Sequence, residues 1–223
     1  MANTTIDEKT LASPMPATAQ VMVQDSVSKA TSKVLLRRQG YEDLKPTGGR
    51  SAGKQTSPVD TIFTPTGLLP AFRNGNADSA SFIFHLPHDF VPGSDIYFHV
   101  HWSNALAGSG NVLWNIHWCY ARGYDLGNFN NEITTQIVAP TSAEVMPHHI
   151  DESVAITQAA VTAQWNQELQ IDGIIIATLE RDSLDALDTS PDDAFFLEFD
   201  IHYLSDNNKT VDRNETGSGF TKA

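Results

Sequence analysis

Histidines and carboxylates recur at alternate positions in three segments of this chain. His99 and His101 lie in Asp95–Trp102, His117 lies in Asn111–Tyr120, and Glu198, Asp200 and His202 lie in Ala194–Leu204. If each segment is a strand, these side chains point away from its apolar face, with His85, Asp95 and Asn115 at the same parity. Imidazole and carboxylate together are the ligands of a divalent metal, so His99, His101, His117 and His202 are candidate metal ligands. A structural reading competes: imidazoles and carboxylates on one sheet face can hydrogen-bond across a subunit interface, where buried polar groups need partners. We prefer that reading at this stage. It makes Tyr97, His99, His101, His117, Asp200 and His202 an oligomer interface, with no cofactor or stoichiometric metal expected.

Other chemistry is poorly served. Gly93, five residues, then His99-x-His101 resembles the first half of the cupin motif, in which two histidines on a jelly-roll strand bind a metal. A cupin carries a Glu four or five residues beyond the second histidine, where this chain has Ala105 and Leu106, and the second cupin motif has no counterpart. A cupin metal also sits inside the barrel, whereas Ile96, Phe98, Val100 and Trp102 claim the inner face. A cupin-like metal-dependent enzyme is therefore the alternative of a different class. Cys119, between Trp118 and Tyr120, has no basic neighbour to activate it and reads as a small buried hydrophobe. No Gly-x-Ser-x-Gly elbow or phosphate-binding glycine loop occurs. The aspartates of Asp182–Asp193 lack calcium-loop spacing and read as a solvated surface loop. No catalytic residue is assigned.

The elements that must position these residues are strands. Pro92 and Gly93 make a turn, and Asp95–Trp102 then alternates strictly. Phe82, Phe84 and Leu86 before it, and Val112, Trp114, Ile116 and Trp118 after it, are inward-facing. Ala105–Gly110 reads as a hairpin loop joining two neighbouring strands. Glu132–Val138 and Ile174–Leu179 are further strands, and Ala194–Leu204 is the last, with Phe195, Leu197, Phe199, Ile201 and Tyr203 inward. Ser153–Gln158 and Val161–Trp165 are less regular, and 161–170 can also be read as helical. Roughly eight short strands with polar turns predict an all-β, antiparallel jelly-roll-like sandwich over residues 59–206.

Residues 1–58 differ in kind. They carry 8 Lys and Arg against 5 Asp and Glu, while residues 59–223 carry 6 against 22. The first segment, poor in aromatics and rich in Ser, Thr, Ala, Pro and Gly, lacks the apolar area to fold alone. It reads as an extended N-terminal arm that orders on a partner, or as a disordered tail. A short helix between Gln24 and Arg38 is expected, and Arg37, Arg38, Lys45, Arg50 and Lys54 are the candidate partner-binding cations of the whole arm. Residues 207–223 read as a C-terminal tail. The acidic body would repel nucleic acid, no apolar run approaches the roughly 20 residues of a membrane span, and the N-terminus lacks a signal-peptide pattern. A protein made in a cytoplasm, binding neither membrane nor nucleic acid directly, is expected.

An ordered set of short motifs runs from about residue 41 to 204: Tyr41–Leu44, Leu86–His88, Gly93–Asp95, His99–Trp102, Gly110–Trp114 and Phe196–Tyr203. In that order they resemble a family of tailed-bacteriophage virion proteins. The resemblance implies a structural component of the particle, assembled in the host bacterial cytoplasm, and no chemistry. Its partners would be other virion proteins of the capsid, portal or tail. A homo-oligomer is expected, with a trimer favoured. A capsid decoration, cement or head–tail connector protein is the leading expectation, and the attachment domain of a tail fibre or spike stands behind it.

Overall fold

The computed structural model describes residues 20–24, 31–35, 40–47, 51–52, 56–65, 67–123 and 127–206. Its strands in chain order are β1 (Gln20–Gln24), β2 (Thr31–Leu35), β3 (Gly40–Leu44), β4 (Ser51–Ala52), β5 (Val59–Thr64), β6 (Gly67–Phe72), β7 (Ala77–His85), β8 (Ile96–Asn104), β9 (Asn111–Arg122), β10 (Ile133–Pro140), β11 (His149–Glu152), β12 (Gly173–Asp182) and β13 (Ala194–Ser205). One helix, α1 (Gln158–Trp165), precedes β12. Thr157 caps it, its hydroxyl accepting from the Ala160 N–H at 3.2 Å, so the helical reading of 161–170 holds for its first half.

The chain is an all-β sandwich of two antiparallel sheets. One has the order β10-β9-β12-β7-β4; the other has the order β11-β8-β13-β6-β5, with β3 also pairing β13. The alternation read from the sequence sets which side chains meet between them. Ile96, Phe98, Val100 and Trp102 from β8 are fully buried, as are Trp114 and Ile116 from β9 and Phe84 from β7. Rings interlock across the two layers: Phe84 meets Phe199 at 5.5 Å, Phe98 meets Trp118 at 6.0 Å, and Trp102 meets Trp114 at 6.1 Å.

Four expectations change. First, β8 and β9 are not a hairpin. They lie in different sheets, so Ala105–Gly110 crosses the sandwich, and the partners of β8 are β11 and β13. The crossing ends at Gly110, with φ +99°, where a Cβ would stand 2.6 Å from the Thr189 carbonyl oxygen. Second, β13 does not alternate throughout. Its register with β8 shifts between Phe196 and Glu198, and this bulge reverses the parity before it. Phe196 therefore joins the core, while Leu197, expected inward, is 38% exposed. Third, part of the expected helix between Gln24 and Arg38 is strand: β2 pairs β1 from Gln20↔Leu35 to Gln24↔Thr31. Fourth, strands within residues 1–58 belong to the sandwich, since β3 pairs β13 and β4 pairs β7.

The acidic loop after β12 is also built rather than merely solvated. The side chains of Arg181 and Asp188 are both fully buried and form a bidentate pair, with Nε to Oδ2 at 2.9 Å and Nη2 to Oδ1 at 3.0 Å. The guanidinium also donates to the carbonyls of Phe72, Ser190 and Asp192. Asp188 in turn accepts the Leu113 N–H at 3.0 Å, tying the loop to β9.

Candidate functional site

Because β8 spends its even positions on the core, His99 and His101 stand on the outer face of their sheet. The neighbouring strands then decide what they meet. On one side β13 sets Asp200 opposite His99, Glu198 opposite His101 and His202 opposite Tyr97. On the other side β11 sets Glu152 opposite His99. One imidazole is thus flanked by two carboxylates, each delivered by cross-strand register. Beyond β13, β3 sets Asp43 opposite His202.

The distances make this a connected cluster. His99 Nε2 is hydrogen-bonded to Glu152 Oε2, and its Nδ1 lies 3.6 Å from Asp200 Oδ1. His101 Nε2 lies 3.5 Å from Asp200 Oδ2, and its Nδ1 is 3.0 Å from His148 Nε2. His202 Nε2 meets Asp43 Oδ1 at 2.6 Å, and the His99 and His202 rings are 3.7 Å apart. Lys45, just past β3, sets its ammonium 2.7 Å from Asp200 Oδ2 and 2.9 Å from Glu198 Oε2. Tyr41 and Tyr97 pack edge to face beside His202 and, with Glu152, line a shallow pocket.

The electrostatics follow from this crowding. Burial lowers the His101 pKa below the ordinary imidazole value, and the Asp200 charge only partly opposes it. Burial would also lower Lys45, but hydrogen bonds to Asp200 and Glu198 outweigh it and raise its pKa. The Tyr97 phenol is raised first by its hydrogen bond to Tyr41. On the inner side of β11, His149 stacks on Trp102 at 4.2 Å with its Nε2 2.7 Å from Asn104 Oδ1; burial there lowers its pKa too.

The residues expected to share one face divide between two. Tyr97, His99, His101, Asp200 and His202 are together on the β8–β13 surface. His117 is on β9 in the opposite sheet, hydrogen-bonded to Thr134 and near Glu132 and Glu180. It belongs neither to a common metal set nor to a common interface with the others, because parity sorts inner from outer but a sandwich has two outer faces. Asp200 is fully buried and His99 is 6% exposed within the single chain, so these two do not present a contact surface as they stand. His99 and His101 also lie outside the sandwich interior, where a cupin metal would sit. Of the candidate arm cations, Lys45 is engaged by Asp200 and Glu198, while Arg37, Arg38, Arg50 and Lys54 lie outside the described residues. Cys119 is half-buried against the core.

Sequence reasoning did not find Asp43, Glu152 or His148. Asp43 sits in a segment that reads as arm. Glu152 and His148 sit in and beside a four-residue edge strand whose His-Ile-Asp-Glu sequence has no apolar alternation to announce it.

No protein-family model matches the chain, and no curated protein sequence matches it. Among solved structures, its backbone is similar to a CBM35 module from Cellvibrio japonicus, at 11% identity and a TM-score of 0.37, over 73% of this chain and 92% of that one.

Proposed function

We propose that this chain is a non-enzymatic structural protein of a tailed-phage particle, a decoration, cement or connector component. In this reading the β-sandwich is the displayed body and the N-terminal residues make the attachment. The observation that carries it is where the body begins and ends. Gly40 pairs with Ser205, so the basic residues before 40 and the tail after 206 continue from adjacent positions at one end of the sheet. Junctions to both terminal segments at one pole suit a body anchored at that pole.

Three of the six motifs behind the family resemblance are neighbours in space, which suits the reading. Tyr41–Leu44 forms most of β3, Phe196–Tyr203 lies in β13, and His99–Trp102 lies in β8, and these three strands pair in the order β3-β13-β8. Self-association in this reading uses the outer edge of β11, which pairs no further strand among the described residues. Ile150 on that strand and Val154 just after it are 56% and 75% exposed, and an unpaired edge strand bearing apolar side chains is a template for a second chain.

The test is location. Antibody labelling of purified particles in the electron microscope should decorate a repeated position on the particle surface. Particles that never label, together with free protein in the lysate, would remove the virion reading.

A further inference from the structure

We propose that His99, His101 and Asp200 form a binding site for a first-row divalent transition metal, with zinc the best chemical match. The site is independent of the virion reading. The three residues offer ligand atoms that all lie within 4.8 Å of one another. Each imidazole faces one carboxylate oxygen, His99 Nδ1 at 3.6 Å and His101 Nε2 at 3.5 Å. A tetrahedral ion with bonds of about 2.0–2.2 Å holds its ligand atoms about 3.3–3.6 Å apart. The two nitrogen–oxygen distances are already close to that spacing.

Two further features point the same way. The nitrogens facing away from Asp200 are both held from outside, His99 Nε2 by Glu152 and His101 Nδ1 by His148 at 3.0 Å. A ligating histidine usually has its other ring nitrogen fixed in this manner, most often by a carboxylate, which orients the ring and sets the tautomer. With the His99 proton on Nε2 toward Glu152, its Nδ1 presents a lone pair to Asp200. The second feature is Asp200 itself. Its side chain is fully buried, yet Oδ1 has no hydrogen-bond partner among the described residues. A lone pair facing a buried, unpartnered carboxylate oxygen is repulsive unless a cation stands between them.

Lys45 neutralises part of the Asp200 charge. Its ammonium rests on Asp200 Oδ2, supplying a positive charge, and is also held by Glu198. The side chain is 47% exposed, so it can withdraw to Glu198 when an ion arrives. Two imidazoles and one carboxylate favour zinc and its neighbours over magnesium or calcium, which take oxygen ligands. Three protein ligands leave a fourth position for water. The overlapping set Asp43, His99 and His202 is the weaker choice, because Asp43 and His202 already satisfy each other at 2.6 Å and no orphaned atom faces them.

The test is zinc chloride titrated into the full chain after chelator treatment and dialysis, read by calorimetry and by the melting temperature. The wild type should take up one equivalent and melt higher. Glu152→Gln should weaken uptake by about 10–100-fold, and His101→Gln and Asp200→Asn should weaken it further. Lys45→Met should tighten it. His202→Gln should weaken it far less than His101→Gln, because His202 packs on His99 and lies 3.5 Å from Glu152 without facing Asp200. Circular dichroism checks that each variant folds; if Asp200→Asn does not, His101→Gln and Lys45→Met carry the test. Absence of zinc uptake by the wild type, with His99 doubly protonated at neutral pH by NMR, would overturn the proposal in favour of an imidazolium between two carboxylates. Loss of uptake in His202→Gln with retention in His101→Gln would overturn it in favour of the overlapping set.

Discussion

Replacing Arg181 with methionine should unfold the sandwich more readily than any single surface change. The five N–H donors of the guanidinium serve five contacts: two to Asp188 and one each to the carbonyls of Ser190 and Phe72 and of Asp192. Methionine fills much of the volume but returns none of these bonds. Asp188 would keep only the Leu113 N–H, leaving a buried carboxylate without its counter-charge. Breaking a buried pair from one side costs about 3–5 kcal/mol. At roughly 2–4 °C per kcal/mol for a domain of this size, the melting temperature should fall by about 6–20 °C. Arg181→Lys should recover only part, since one ammonium cannot reproduce the bidentate fork. The pair Arg181→Met with Asp188→Leu should recover part of the loss, because no charge is then stranded although the Leu113 N–H and three carbonyls still lose their partners. Urea unfolding followed by tryptophan fluorescence measures the wild type, these three variants and Asp188→Leu alone. A single-variant loss below about 1 kcal/mol, or a double variant as unstable as the sum of its singles, would refute the reasoning.

The core and the bulge predict opposite outcomes for neighbouring positions on β13. Phe199→Ala, like Trp102→Ala on β8, should cost about 3–5 kcal/mol, while Leu197→Ala should stay within about 0.5 kcal/mol by denaturant midpoint. Stability should also fall with acid through His149. Its folded pKa lies below the ordinary 6.5, so below about pH 6.5 the unfolded chain binds the proton first and the fold loses stability. That loss ends once the folded imidazole also titrates, and His149→Gln should flatten this part of the pH profile. Ile150→Asp with Val154→Asp should shift the protein to monomer in sedimentation velocity if the β11 edge is the self-association surface.

The legible part of this fold was its inside. Strict alternation over Ile96–Trp102 and Val112–Trp118 is forced by burial on one face, and the core follows it. Alternation carries no information about partners, which is why β8 and β9 looked like a hairpin and His117 looked like a neighbour of His99. The bulge at Phe196/Glu198 could not be anticipated, because both parities of that segment are aromatic or apolar up to Glu198. β3 was hidden by composition: Gly40–Leu44 is mostly exposed, and it is held by its ladder to β13 with only Leu44 packing against the core. Most of the histidine cluster was visible as residue types, but Asp43 and Glu152 came from β3 and β11, two short strands without apolar alternation. Arg181 and Asp188 were invisible as a pair for a related reason: a buried charge becomes recognisable only when its counter-charge is placed.

The attachment reading is tested most directly by co-sedimentation with particles lacking this component. Two proteins are compared, the full chain and a version without residues 1–39, which ends just before β3 and leaves every strand of the sandwich intact. The account predicts that the shortened chain stays folded and soluble yet remains in the supernatant while the full chain pellets. Attachment of the full chain should weaken in moderate salt and on charge reversal at Arg37 and Arg38. If the shortened chain pellets as completely as the full one, the N-terminal residues do not anchor the protein and the docking surface lies on the sandwich itself.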